Sequence, residues 1–311
     1  MGGMTFGVLA MAYGTPATRE EIEPYYTHIR RGRPPESHQL AELVARYAAI
    51  GGLSPLAAIT ERQARGLERA LNDLGPEAPY RVYTGMKHAH PLIAETIDEM
   101  VNDGIVKAVG VVLAPHYSTM SVAVYNQNAQ EAVDKTGRIA LACVESWHMQ
   151  PLFLESTARR VRQALEQLPE SNRARAPIVF TAHSLPQRIL AVNDPYPAQI
   201  EQSARAVAQK VNHDHWLCGW QSAGRTPEPW LGPDLLDVIR QLHDQGVRGM
   251  VVCPIGFVSD HLEVLYDIDV EAKGLADKLG MTLVRSASPN DEELFMRAIA
   301  AAVLEKAAEV R

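Results

Sequence analysis

The run Phe6-Gly-Val-Leu-Ala-Met-Ala-Tyr-Gly-Thr-Pro16 returns in the second half of the chain as Ile178-Val-Phe-Thr-Ala-His-Ser-Leu-Pro186. Each copy is an apolar stretch that ends in a polar side chain and then a proline. Each therefore predicts a buried strand with one polar group at its C-terminal end, Tyr13 in the first copy and His183 in the second. Two further pairs follow in the same order. Val82-Tyr-Thr-Gly-Met-Lys87 resembles Trp216-Leu-Cys-Gly-Trp-Gln221, and Gly110-Val-Val-Leu-Ala-Pro-His-Tyr-Ser118 resembles Gly249-Met-Val-Val-Cys-Pro-Ile-Gly-Phe-Val-Ser259. Such self-similarity marks a repeated architecture. Strand candidates at 6–12, 80–85, 108–114, 139–144, 177–182, 216–219 and 250–257 alternate with helical periods at 20–29, 61–74, 91–103, 153–167, 197–211, 233–245 and from 292 onward. That alternation predicts parallel sheets covered on both faces. The chain thus reads as two related α/β domains, divided near residues 140–150, with their strand ends facing one cleft.

The third repeat leads into Ser259-Asp-His-Leu-Glu-Val-Leu-Tyr-Asp-Ile-Asp-Val-Glu-Ala-Lys273, where Glu263, Asp267 and Glu271 recur every four residues. On a helix these carboxylates stack on one face, which is unfavourable by a few tenths of a kcal/mol per exposed pair. At a partly buried site, with an effective dielectric near 20, the repulsion reaches roughly 2 to 3 kcal/mol. A solvated acidic face near Lys273 and Lys278 is the ordinary arrangement for such a pattern. This stripe, however, starts at a strand's C-terminal end, where open α/β sheets keep their ligands, so a cation is expected beside it. A lone His is more often a core residue than a ligand. His183 has a carboxylate, Glu263, from a neighbouring strand end, and that pair suits a borderline divalent metal. Two protein ligands leave most coordination positions open, as a metal that must be handed on requires.

Arg30, Arg31 and Arg33 follow a predicted helix, with Arg46, Tyr47 and Ser54 shortly after. Guanidinium groups bind carboxylates or phosphates in forked pairs. Tyr13, Tyr25, Tyr26, Tyr47, Tyr125 and Trp230 can form flat walls with polar edges. Together they describe a pocket for a flat, apolar, polyanionic molecule.

Composition removes several alternatives. At 311 residues the chain has ample core for one large domain or two ordinary ones. A net charge of −7 argues against a nucleic-acid or anionic-membrane binder, which needs a basic surface. Cys143, Cys218 and Cys253 lack CxxC spacing and lie in apolar segments, so they read as reduced residues of a cytosolic protein. No stretch approaches 18 uninterrupted apolar residues, and the first apolar run has no basic region before it; the expectation is a cytoplasmic protein without membrane insertion. GxGxxG after the first strand, a Walker A lysine motif and GxSxG are all missing. Neither nucleotide binding nor an α/β-hydrolase triad is supported.

Several motifs occur in order along nearly the whole length: Ala10-Met-Ala-Tyr-Gly-Thr-Pro16, Tyr25-Tyr-Thr-His-Ile-Arg-Arg-Gly32, Tyr47-Ala-Ala-Ile-Gly-Gly-Leu-Ser-Pro55, Ala182-His-Ser-Leu-Pro186, Gly219-Trp-Gln-Ser222, Pro229-Trp-Leu-Gly-Pro233 and Asp260-His-Leu-Glu-Val-Leu-Tyr-Asp267. In these the chain resembles the ferrochelatase family, most nearly its soluble bacterial branch that inserts ferrous iron into coproporphyrin III. The resemblance implies a chelatase-like fold of two similar Rossmann-like domains, 1–145 and 146–311, each a parallel sheet flanked by helices. The last helix is expected to pack back on the first domain. The family's metal-site histidine and glutamate fall on His183 and Glu263, and its tyrosine that can coordinate product iron falls on Tyr13. Porphyrin-pocket positions fall on Arg30, Arg46, Tyr47, Ser54 and Tyr125. An outer metal site of some members, where Mg²⁺ is an expected occupant, falls on Asp267 and Glu271.

Residues 33–42 are polar, unlike the apolar lip of the membrane-seeking mitochondrial enzymes, and no cysteine follows Cys253 to build the C-terminal cluster of some relatives. The resemblance therefore implies porphyrin and ferrous iron as substrates, no organic cofactor and no iron–sulfur cluster. It further implies a monomer that makes transient contacts with neighbouring haem-pathway enzymes. Coproporphyrin has four propionates where protoporphyrin has two, and the arginines fit the former. A protoporphyrin ferrochelatase, a cobalt or nickel chelatase, a non-catalytic haem or metal carrier and a two-domain solute-binding protein are the rival readings.

Overall fold

The computed structural model describes residues 5–75, 79–224 and 226–310. The first half runs β1 (Phe6–Ala12), α1 (Ile22–Ile29), α2 (Ser37–Ala49), α3 (Leu56–Leu74), β2 (Tyr80–Met86), α4 (Ile93–Asn102), β3 (Lys107–Val112), α5 (Val122–Thr136) and β4 (Ala140–Val144). The second half begins with α6 (Pro151–Gln167), α7 (Glu170–Arg173), β5 (Ile178–His183), a 3-10 helix (Gln187–Val192), α8 (Tyr196–Val211) and β6 (Trp216–Gln221). It ends with α9 (Leu235–Asp244), β7 (Gly249–Cys253), a π-helix (Val264–Ala272), α10 (Lys273–Lys278), β8 (Thr282–Arg285) and α11 (Glu293–Ala307).

Each half forms a four-stranded parallel sheet, ordered β2-β1-β3-β4 and β6-β5-β7-β8. The two orders are the same permutation, so the repeat seen in the sequence is a repeat of topology. In both sheets the chain reverses direction of travel between the first and third strands, the switch point where α/β sheets hold ligands. Tyr13 directly follows β1, and His183 ends β5.

β1 is buried along its full length because both of its faces are covered. Val8 and Ala10 join a core that also takes Leu67 and Leu71 of α3, Phe153 and Val161 of α6, and Ile178 and Phe180 of β5. Leu9 and Met11, on the opposite face, pack with Ile93 and Ile97 of α4 and Ala129 and Val133 of α5. The outer face of the second sheet packs Val179 and Val252 against Val238 of α9 and Val264 and Ile268 of the π-helix. One core therefore joins both sheets through the helices between them.

α11 packs on α3 and α6 and reaches β3 and β4, so the end of the chain touches the first sheet. Its buried Ala298, Ala300 and Ala302 allow close helix approach, while Phe295 stacks with Trp147 and Phe153 at centroid distances of 5.8 and 6.4 Å. Burying each such ring contributes about 2 to 3 kcal/mol.

The structure adds α2, α5, α7, the 3-10 helix, α10 and β8 to the elements read from sequence. α2 starts at Ser37, inside the polar segment, with a capping box between Glu36 and Gln39. Residues 33 and 34 ahead of it are exposed. The carboxylate stripe lies on a π-helix rather than an α-helix, a form that occurs mostly at functional sites.

Candidate active site

His183 stands at the C-terminal end of β5, paired in register with Gln221 of β6. The loop after β7 crosses directly over it, and Gly256 N–H donates to the Thr181 carbonyl at 3.0 Å. A Cβ on Gly256 would lie 2.5 Å from Ala182 Cβ and 2.8 Å from Ala182 Cα, so only glycine permits this crossing. The loop then delivers His261 and Glu263 beside His183. Glu263 Oε1 lies 3.6 Å from His183 Nε2, and Oε2 lies 3.6 Å from His261 Nε2.

Both imidazoles are held the same way round. His183 Nδ1 bonds to the Ser184 carbonyl, and His261 Nδ1 bonds to the Ser259 carbonyl at 3.0 Å. A carbonyl only accepts, so each Nδ1 carries the proton and each Nε2 is turned to Glu263. The Tyr196 hydroxyl also donates to the His183 carbonyl at 3.1 Å.

These contacts decide the charges. Burial disfavours an imidazolium at His183, but the Glu263 charge and hydrogen bond, the Ser184 carbonyl and Asp267 outweigh it and push its pKa up to about 9. Burial disfavours the Glu263 carboxylate as well, yet His183 and then His261 hold it well below the usual carboxylate range. At neutral pH the pair is an imidazolium and a carboxylate.

Further along the π-helix, Asp267 is buried, receives the Ser222 hydroxyl on one oxygen and has Arg46 Nη1 3.9 Å from the other. Ser222 takes a left-handed φ of 59° to make that bond, a strained conformation for a residue with a side chain. Burial first, then the charges of Glu263 and Glu271 against the Ser222 bond and Arg46, raise Asp267 to about 6. Glu271 is exposed at the outer end of the stripe. The expected cationic neighbours are thus His183 for Glu263 and Arg46 for Asp267.

Across the cleft, the tight turn at Gly14 (φ +88°) presents Tyr13, whose ring is 42% exposed. Desolvation in the cleft, then Glu263 and Tyr47, raise the Tyr13 phenol, so it stays neutral. Tyr25 donates to the Gly14 carbonyl at 3.1 Å, Tyr47 and Thr15 share a 3.5 Å contact, and buried Tyr125 lies under Lys87 Nζ at 5.0 Å. The Glu263 charge reaches Tyr13, Tyr47 and Tyr125; of the three, only Tyr13 is exposed. Arg46 joins them from α2 by stacking on Tyr266 of the π-helix at 4.8 Å. Ser54, also buried, accepts from Leu56 N–H, and Arg30 sits outside this group, over Tyr26 and bonded to the Arg33 carbonyl.

The sequence reading missed His261, although it stands two residues before Glu263 in the same motif. It also missed His88, which stacks on Tyr13 at 4.6 Å, and His28, whose Nδ1 is 3.0 Å from His88 Nδ1. Burial, Lys87 and His28 lower His88 to about 4, so it is neutral. Among the described residues no group of three or more His, Cys, Asp and Glu side chains is gathered to enclose a metal ion. The row His183, Glu263, His261 is open on one side.

A family model described as Ferrochelatase matches residues 5–307. The chain belongs to the ferrochelatase family. It is 48% identical over 306 residues to a protein of Geobacillus kaustophilus named coproporphyrin III ferrochelatase, covering 98% of this chain and 97% of that one. A Bacillus subtilis protein of the same name is 47% identical over 307 residues, covering 98% of this chain and 99% of that one. Among solved structures, the sirohydrochlorin chelatase SirB from Bacillus subtilis subspecies spizizenii, in complex with cobalt, superposes with a TM-score of 0.61. That match covers 98% of this chain and 97% of that one at 12% identity, and it shows a shared fold. The ferrochelatase membership and the chelatase-like fold of paired parallel sheets agree with the expectations from the sequence.

Proposed function

We propose that this chain inserts ferrous iron into coproporphyrin III to give Fe-coproporphyrin in haem biosynthesis. The observation that carries the reading is the row His183, Glu263, His261 at the strand ends of the second sheet, with the exposed Tyr13 at the equivalent strand end of the first sheet within reach of the Glu263 charge. An ion bonded to His183 and Glu263 at about 2.1 Å each would span their separation with an angle of roughly 118°, near the tetrahedral range. The remaining positions stay open for release to a ring.

The charges support one order of events. Glu263 is ionised and receives Fe²⁺ first; His183, protonated in the free protein, gives up its Nε2 proton as it becomes a ligand. As iron enters the ring, His183 takes back one proton at Nε2, and the second pyrrole proton passes by way of the carboxylates to solvent, because Glu263 beside an imidazolium does not retain it. His183 thus serves as ligand and as proton acceptor in succession. The acid–base share of such groups is typically 10²- to 10⁴-fold. Neutral aromatic rings hold the macrocycle, and Arg46 meets one of its propionates.

Asp267 and Glu271 would supply carboxylates to a largely hydrated Mg²⁺, Asp267 being also held by Ser222 and Arg46, and the same stripe would serve as an ion path. No helix among the described residues is long and apolar enough to cross a membrane, and the exposed start of α2 is polar. We place the activity in the cytoplasm, on a monomer.

Anaerobic Fe²⁺ added to free-base porphyrin in detergent-free buffer should quench its fluorescence catalytically, faster with coproporphyrin III than with protoporphyrin IX. His183→Ala should abolish turnover while porphyrin still binds. Binding without turnover in the wild type would make the chain a tetrapyrrole carrier, and loss of binding in His183→Ala would make that residue structural.

A further inference from the structure

Arg285, the last residue of β8, lies outside the cleft, yet its guanidinium joins the two segments that flank Glu263. Its Nε and Nη2 donate to the two carboxylate oxygens of Asp269 at 2.8 and 2.9 Å, a forked pair on the π-helix. Its Nη1 donates to Asp260 Oδ1 at 3.1 Å, in the loop just ahead of His261. The side chain is 15% exposed, so water competes little for these bonds.

Asp260 is fixed from other sides as well. Ser288 donates to its Oδ1 at 2.8 Å, Asn290 Nδ2 donates to its Oδ2 at 3.0 Å, and its own N–H donates to Asn290 Oδ1 at 2.9 Å. Gln63 of α3 ties this loop to the first sheet's helices by donating to Ser259 Oγ and the Asn290 carbonyl, both at 2.9 Å. Asp269 is attached to the rest of the structure through Arg285. Glu263 lies between the two strapped points, at the N-cap of the π-helix. A π-helix is rare and appears mostly as a single turn inside an α-helix, whereas this one runs over nine residues. Something outside the helix must hold its register, and Arg285 grips it in the middle while holding its approach.

We infer that Arg285 is a positioning residue for metal insertion: by bracing Asp260 against Asp269 it keeps the π-helix in register and so holds the Glu263 carboxylate between His183 and His261. The inference deepens the proposed function and rests on it for the identity of the reaction. Arg285 does not touch the substrate, so its loss acts on the chemical step and on metal capture while porphyrin binding is retained. A lysine keeps the charge but cannot make the fork.

The test uses the full chain with Arg285→Gln, Arg285→Lys, Asp269→Asn and the Arg285→Gln/Asp269→Asn double variant. Turnover is read with coproporphyrin III, and Co²⁺ affinity is read separately from the visible absorption of the bound ion, which needs no turnover. Arg285→Gln is expected to lower kcat at least tenfold, weaken Co²⁺ at least tenfold and leave the porphyrin KM within twofold. Arg285→Lys should recover part of the loss. Adding Asp269→Asn to Arg285→Gln should cost less than a further twofold, because the two residues act as one unit. A folded Arg285→Gln with kcat and Co²⁺ affinity within twofold of wild type overturns the inference, as does full additivity of the two substitutions. If Arg285→Gln does not fold, Arg285→Lys with wild-type Co²⁺ affinity overturns it. Failure of the wild type to turn over would count against the proposed function alone, since the Co²⁺ arm still reads Arg285.

Discussion

Replacing Glu263 with Gln keeps the shape of the side chain and removes the charge that sets the state of His183. In the wild type the imidazole is pushed from 6.5 up to about 9, against a burial cost that acts in the other direction. With the carboxylate gone, burial remains and the main opposing charge does not, so the His183 pKa should fall to 6.5 or below. At pH 8 a group with pKa 9 is roughly nine-tenths protonated, and one at 6.5 only about 3%. At 1.36 kcal/mol per pH unit the wild-type rise corresponds to ~3 kcal/mol. The side chains are 35% and 38% exposed, and screening by water reduces the part felt by stability to about 1 to 2 kcal/mol. The signs follow from the directions. The raised His183 stabilises the fold fully below its unfolded value of 6.5 and loses that as pH rises toward 9. The depressed Glu263 stabilises above 4.5 and loses that as pH falls. The stability gap between wild type and Glu263→Gln should therefore be widest between about pH 5 and 6.5 and should close toward pH 9. The assay is a titration of the His183 ring resonances by NMR, paired with urea unfolding at pH 6 and pH 9. A wild-type His183 titrating near 6.5, or the same midpoint in both proteins, would refute the reasoning.

Gly256→Ala should destabilise by about 1 to 3 kcal/mol in urea unfolding, because the new Cβ meets Ala182 Cβ at 2.5 Å and Cα at 2.8 Å. The displaced neighbour precedes His183, so turnover should fall with it. Asp267→Asn should remove a pH dependence: the wild-type carboxyl, raised from 3.8 to about 6, makes the fold lose stability as pH climbs through that interval. Unfolding at pH 4.5 and 7.5 should show that loss in the wild type and a flatter response in the variant.

The sequence carried the architecture because a buried parallel strand leaves a strong apolar signal, and β1 and β5 each end in a polar residue that breaks it. β8 has only four residues, too few to stand out from loop sequence. α5 buries Val122, Tyr125 and Val133 with two alanines, Ala129 and Ala132, between them, so its apolar stripe is faint in the middle. The π-helix was hidden for a different reason: carboxylates four residues apart share a face on either helix type, so spacing alone does not separate them. Tyr13 and His183 were legible because each marks the edge of an apolar run, and Glu263 because it opens a stripe of carboxylates spaced by four. His261 carried a signal in its H-x-E spacing with Glu263, whereas Arg285 carried none. Its role depends on β8 lying beside β7, a pairing no local pattern records.

The repeated halves bring opposite chemistry to equivalent strand ends. The first half offers neutral phenols with His28, Lys87 and His88 behind Tyr13 and Arg46 at the side; the second offers an imidazolium, a carboxylate and an acidic stripe. Under the proposed function, a dication is drawn to the second surface, while Lys87 and Arg46 favour the propionates of the ring. The shared core of α3, α6 and α11 holds both sheets in one packed unit, and Gln63 and Arg46 link the first half directly to the loop and helix that carry Glu263. The gap between the two halves is thus set before either reactant binds. Insertion can then spend its interactions on bending the ring and exchanging protons, without first having to assemble the site.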